Sequence, residues 1–189
     1  MKRWARAALP LLTLVLFSGC AGQAPPANTA AVVDGQKVPT ARYHLLVSSG
    51  QKQVQNDGLA VDWSSARGKS RLRDIQTQSL QLIVRDVVIQ QMAKRDGVQV
   101  SDAQLDQTIQ SLDVVAGGSD QLDQELSLEG LTRSQYRPLL RITLLDRELR
   151  ARDPKYDQHL ASAVSAARVQ AYVGPCAADH QYPRCINGK

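Results

Sequence analysis

Three cysteines and three histidines are the side chains of this 189-residue sequence with the most chemistry open to them. Cys176 and Cys185 stand close together, and the stretch between them holds His180 and Pro183. Two neighbouring thiols in an oxidising compartment normally bridge. With His180 they could instead begin a metal site, but one short loop leaves it without a fourth ligand. The reading is a Cys176–Cys185 disulfide, no metal and no cofactor. Cys20 is of another kind. It follows Ser18 and Gly19, which are small enough for a backbone to enter a peptidase, and its thiol can accept an acyl group. His44 and His159 read as half-exposed polar positions on helices. Asp102, Asp106 and Asp113 read as a solvated helix face, with Asp102 favourable at the helix N-terminus. The His-Glu-x-x-His, phosphate-cradling glycine and Gly-x-Ser-x-Gly patterns do not occur. No catalytic residue is assigned, and the chain is read as not an enzyme.

The segment before Cys20 explains that cysteine. Lys2, Arg3 and Arg6 precede an apolar run from Ala7 to Phe17, too short to span a bilayer, which takes roughly 20 apolar residues. A basic start, a short apolar core and small residues make an export signal, to be set aside from the fold. Its end, Leu16-Phe17-Ser18-Gly19-Cys20, resembles the lipobox of bacterial lipoproteins, with Phe17 where leucine is usual. The resemblance implies a signal over residues 1–19 and lipid attachment at Cys20. The competing reading is an ordinary secretory signal with an incidental cysteine. Residues 20–30 (CAGQAPPANTA) are small and polar, a tether that spans at most about 35 Å when stretched. The partner expected at this end is a membrane, through the N-terminal lipid.

Cleavage at Cys20 removes three of the 23 basic side chains and none of the 18 acidic ones, so the formal charge of +5 is largely the signal's. Without a basic block or aromatics for base stacking, no nucleic-acid partner is expected. The one phenylalanine is Phe17, so the core of the mature chain must be aliphatic.

Val32, Val33 and Val38 flank Asp34-Gly35, a hairpin signal, with Pro39 ending the strand and Thr40 capping a helix over about 41–55. A long helix over 66–95 is apolar nearly all round between Leu80 and Met92, which predicts cover by other helices, with Gly97 at its C-terminal end. Ser101 with Gln104 and Thr132 with Gln135 are capping boxes. The first opens a helix with Leu105, Ile109 and Leu112 on one stripe. Gly117-Gly118 separates it from a short helix carrying Leu122 and Leu126. The second opens a helix with Pro138 in its second turn, which should bend it. A further helix over 156–167 precedes Arg168 to Val173, whose alternation reads as a strand. A lone strand needs partners, and the hairpin is the available one. The fold class is mainly α, with a small β-sheet built from an N-terminal hairpin and a C-terminal strand.

"AVVDGQKVPTARYHLLV", the long helix from "DWSSARGKSRLRDIQ" through "RDGVQVSDAQLD", and "GLTRSQYRPLLRITLLDREL" together resemble, in order and spacing, SurA N-terminal-like chaperone domains. The resemblance covers about Ala31 to Arg152. It implies a SurA/trigger-factor-like multi-helix chaperone domain over residues 31–175, followed by a disulfide-closed tail over 176–189. Relatives of this kind usually carry a parvulin prolyl isomerase domain inserted after the helix that here ends at Arg152. In this sequence only Asp153 to Asp157 separate that helix from the next, so the resemblance implies the chaperone module without the isomerase.

The function implied is that of a membrane-tethered extracytoplasmic holdase whose partners are unfolded or partly folded exported proteins. Candidate client-binding residues are Tyr43, Leu46, Trp63, Tyr136 and Leu139, each equally suited by type to core packing. Trp63 stands apart because it lies in a loop, where binding residues concentrate. The alternative is a structural or adaptor lipoprotein docking one envelope partner.

Overall fold

The computed structural model describes residues 26–188. The expected signal, Cys20 and the first part of the tether lie outside the described residues.

Strand β1 (Thr29–Val33) turns at Asp34-Gly35 into β2 (Gln36–Pro39). Both turn residues have positive φ, 47° and 84°, as a two-residue type I′ turn requires. The chain continues through α1 (Thr40–Asn56), α2 (Ala66–Arg95), α3 (Asp102–Ala116), α4 (Ser119–Leu128), α5 (Arg133–Arg152) and α6 (Tyr156–Ala166). Strand β3 (Val169–Ala171), a 3₁₀ turn (Gly174–Cys176) and the short α7 (Arg184–Asn187) complete it. The sheet is antiparallel in the order β2-β1-β3, with Ala31 opposite both Val38 and Ala171. Asp34 ties the hairpin to β3: its backbone N–H donates to the Arg168 carbonyl at 2.9 Å, and its carboxylate accepts the Arg168 N–H at 3.0 Å. The expected mainly helical fold with a three-stranded sheet joining distant parts of the chain is what the structure shows.

Both capping boxes form, with Ser101 and Thr132 each accepting from the backbone N–H of the glutamine three residues on. Gly97, at φ 65°, closes α2, and Val98 donates back to Ala93 at 2.8 Å in a Schellman arrangement. Helix α5 runs continuously through Pro138.

Several sequence expectations shift. The N-cap of α1 is Pro39, and Thr40 is the first helical residue. The Thr40 side chain makes no capping bond, while its backbone N–H donates to Asn28 O at 2.9 Å. The residues at the end of the expected tether, Thr29 and Ala30, lie buried in β1, the central strand of the sheet. In the expected disulfide-closed tail, Cys176 and Cys185 sit inside the main apolar cluster.

That cluster lies beneath the sheet, where Val33, Val38 and Ala171 meet Tyr43, Val47, Leu80, Ile83 and Val84. A second fills the space between the C-terminal half of α2, α5 and α6, around Ile89, Leu105, Leu145 and Tyr156. A third, much smaller, joins Leu122, Leu126 and Leu131 to half-buried Leu45, Leu112 and Leu139. Among the described residues no helix is long and apolar enough to cross a membrane.

Candidate functional site

The antiparallel pair α1 and α2 packs tightly at Gly50. A Cβ there would stand 2.8 Å from Cγ2 of Ile75. Deeper in the same interface Arg42 donates to Asp86 at 2.6 Å. Around Gly50 and Ile75 the helices leave a groove of about 370 Å³. Leu46, Val54, Ile75 and Leu82 supply its apolar surface, and Ser49, Gln53, Gln78 and Ser79 supply hydroxyl and amide groups. Asp57, Arg71 and Asp74 stand along it as well. Leu82, near the start of the apolar stretch of α2 whose middle was expected to be covered, is 40% exposed. It lines the groove rather than the interface that α2 shares with α5 and α6.

The five candidate client residues are not brought together. Leu46 lines the groove. Tyr43 is buried beneath the sheet with its hydroxyl lacking a hydrogen-bond partner, and burial pushes its phenol up to about 12. It has no surface to offer a ligand, which corrects the expectation made of it. Trp63 packs half-buried against the main cluster, held by the loop that Asp62 and Ser64 fold on themselves. Gly68 allows this, since a Cβ there would collide with the backbone of Asp62 and Trp63. Tyr136 and Leu139 lie elsewhere, against the small cluster with Leu45. The groove residues that the sequence reading missed are Gly50, Val54, Ile75 and Leu82. Polar neighbours were the available signal for Leu82, with Gln78 and Arg85 one turn away on either side.

The Cys176 and Cys185 sulfurs are within bonding distance, with Cα atoms 4.9 Å apart. His180 turns away from them, donating from Nδ1 to the Cys176 carbonyl at 3.1 Å and packing on the Tyr172 ring. His159 meets Asp153 at 2.6 Å on the surface, and His44 is an exposed edge contact of Tyr43. Among the described residues no three His, Cys, Asp or Glu side chains are placed to hold a metal ion.

Asp102 and Asp106 lie on the solvated face expected of them, Asp113 is half-buried, and all three are also paired. Arg141 and Arg137 both reach Asp102, Arg137 also reaches Asp106, and Arg133 grips Asp113 with two nitrogens at 2.6 and 3.2 Å. These hydrogen bonds, from Arg141 first and then Arg137, hold the Asp102 carboxyl below its ordinary range. The pairs span α3 and α5 and are not part of the groove.

Residues 2–150 match the family described as the SurA-like N-terminal domain. The protein named Chaperone SurA of Pectobacterium atrosepticum is 31% identical over 153 residues, which is 79% of this chain and 33% of that protein. Chaperone SurA of Yersinia pestis is 30% identical over 155 residues, with the same two shares. Chaperone SurA of Pseudoalteromonas atlantica is 31% identical over 125 residues, 65% of this chain and 27% of that protein. The chain spans about a third of the length of the curated relatives it matches.

Proposed function

We propose that this chain, which belongs to the SurA-like N-terminal domain family, is a holdase that binds aliphatic stretches of unfolded or partly folded exported proteins in the α1–α2 groove. A chaperone-type role goes with the family. The observation that carries the groove assignment is the pair Leu46, half-buried, and Leu82, 40% exposed, aliphatic side chains that line the groove from facing helices. Exposed aliphatic surface lined by amides and hydroxyls suits clients of varied sequence. Apolar burial is non-directional, and the polar groups can accept a client backbone.

The reading has no isomerase activity in it. Helix α5 ends at Arg152 and α6 begins at Tyr156, so the position where relatives carry an inserted domain is a tight turn. It also places the domain outside the cytoplasm, tethered through lipid on Cys20, as the Ser18-Gly19-Cys20 pattern supports. Radiolabelled palmitate incorporation, lost in Cys20→Ser, tests that anchor.

The groove is tested by suppression of aggregation of an unfolded model protein, with a prolyl isomerisation assay on the same sample. Suppression at near-stoichiometric ratios, reduced several-fold by Leu46→Asp with Leu82→Asp and with no isomerase rate, is expected. A folded chain that suppresses nothing would overturn the chaperone reading and favour the adaptor lipoprotein.

A further inference from the structure

Helices α3 and α4 form a hairpin attached to the rest of the molecule differently from every other long helix. Helix α3 buries a single side chain, Leu105, whereas α2 buries a dozen. Val114 and Val115, near the end of α3, are 80% and 84% exposed. Helix α4 contributes Leu122 and Leu126 to the smallest cluster. Between α3 and α5 lies an open gap of about 300 Å³, with Gln104, Gln107, Thr108 and Ser111 on one side and Leu144, Arg147 and Glu148 on the other. Apolar packing therefore holds this hairpin weakly.

Charge bridges the gap's other flank. Arg133, Arg137 and Arg141 recur every fourth residue and so share one face of α5. Their partners, Asp113, Asp106 and Asp102, run in the opposite order along α3. Arg133 also reaches Asp123 and the Ser119 carbonyl on α4, so the ladder ties down both arms of the hairpin. The Asp102, Asp106 and Asp123 carboxylates are largely exposed and that of Asp113 is half-buried, and exposed pairs are individually weak and screened by salt. The hairpin is bounded at both ends by glycines with positive φ, Gly97 at 65° and Gly130 at 74°. After Gly97, Val98 and Val100 anchor the chain in the core, so any movement must begin beyond them.

We infer that the α3–α4 hairpin is a latch, closed by the Asp102/Asp106/Asp113 ladder to α5, whose release uncovers a second client-binding surface along α5. The surface beneath it is aliphatic and aromatic: Leu105, Ile109 and Leu112 on α3 face the side of α5 that carries Tyr136, Leu140 and Leu144. Its occupant is an apolar segment of an unfolded polypeptide, which would displace the hairpin and bury the same groups. This part rests on the chaperone reading, whereas the latch itself does not.

Hydrogen–deuterium exchange on the full chain carrying Asp102→Asn, Asp106→Asn and Asp113→Asn tests both parts. The expected result is exchange about tenfold faster across residues 103–130, since two exposed pairs and one half-buried pair each contribute a few-fold. Amides of α1, α2, α6 and the sheet should be unchanged, and suppression of client aggregation should rise. The reverse-charge pair Arg137→Asp with Asp106→Arg should restore protection to that rung, which a general loss of stability would not allow. Uniform acceleration, or none, would overturn the latch. Acceleration confined to the hairpin without improved suppression would overturn the second surface. A wild-type chain with no suppression at all would strike the chaperone reading and leave the latch to stand or fall on exchange alone.

Discussion

Arg42 and Asp86 meet at 2.6 Å across the α1–α2 interface, with Asp86 only 5% exposed. Burial raises the carboxyl's pKa more than the Arg42 guanidinium lowers it. A carboxyl with its folded pKa above the unfolded value stabilises the fold when protonated. Its contribution is complete below the ordinary carboxylate range and is lost as pH rises through the raised value. Arg42→Ala strands the charge, and a loss of about 3 kcal/mol is expected at neutral pH. That deficit should shrink on acidification as Asp86 takes up a proton. Urea denaturation between neutral and mildly acidic pH checks it, and a pH-independent deficit would contradict this account.

Gly50→Ala poses two effects of opposite sign. Alanine in a helix interior normally gains about 0.5–1 kcal/mol over glycine. Here the new methyl meets Cγ2 of the buried Ile75 at 2.8 Å, and overpacking costs about 1–3 kcal/mol. A net loss of about 1 kcal/mol is expected. Ile75→Leu, which lacks the branching methyl, should recover part of it in a double-mutant cycle.

Tyr43 carries a buried hydroxyl without a partner. Tyr43→Phe should be neutral or stabilising by about 1 kcal/mol, because an unsatisfied buried polar group is costly. Client binding should not change. At Gly174, φ is 56° and a Cβ would collide with that hydroxyl. Gly174→Ala is therefore expected to be severely destabilising in the wild type, and less so when combined with Tyr43→Phe. Thermal denaturation of the four combinations decides whether the two sites are coupled.

Cys176→Ser with Cys185→Ser should lower stability by about 2–3 kcal/mol if the pair is bridged, from the entropy of a loop closed over nine positions. Alkylation without reductant should leave both thiols unmodified. Labelling of either in the folded, unreduced chain would remove the disulfide from the account.

What was legible in the sequence was local. Asp34-Gly35 needs only its own two φ angles, and Ser101 with Gln104 or Thr132 with Gln135 closes a capping box within one turn. The isolated alternation near Val169 pointed to a sheet because a strand cannot stand alone. The groove was hidden because Leu45, Leu46 and Val47 are consecutive on α1 and alike in type, yet face the small cluster, the groove and the main core respectively. Only the positions of α2 and α4 separate them. The partners of the α3 aspartates were hidden for the same reason. Their arginines lie 20 to 39 residues away, and an unpaired acidic face looks identical until α5 is laid against it.

Strand β1 sits at the centre of the sheet between a neighbour three residues away in the turn and one reached only at Val169–Ala171. A chain emerging from its amino end therefore has the hairpin and all six principal helices before the last strand exists. Until then the β3-facing side of β1 is open, with the Ala30 carbonyl and the Asp34 N–H unpaired on that side. Non-local pairing of this kind is slow, because loop-closure entropy must be met before any contact repays it. Sheet closure therefore comes after the helices have been made, and under the proposed function the molecule passes through the same exposed-edge stage as the unfinished chains it would shelter.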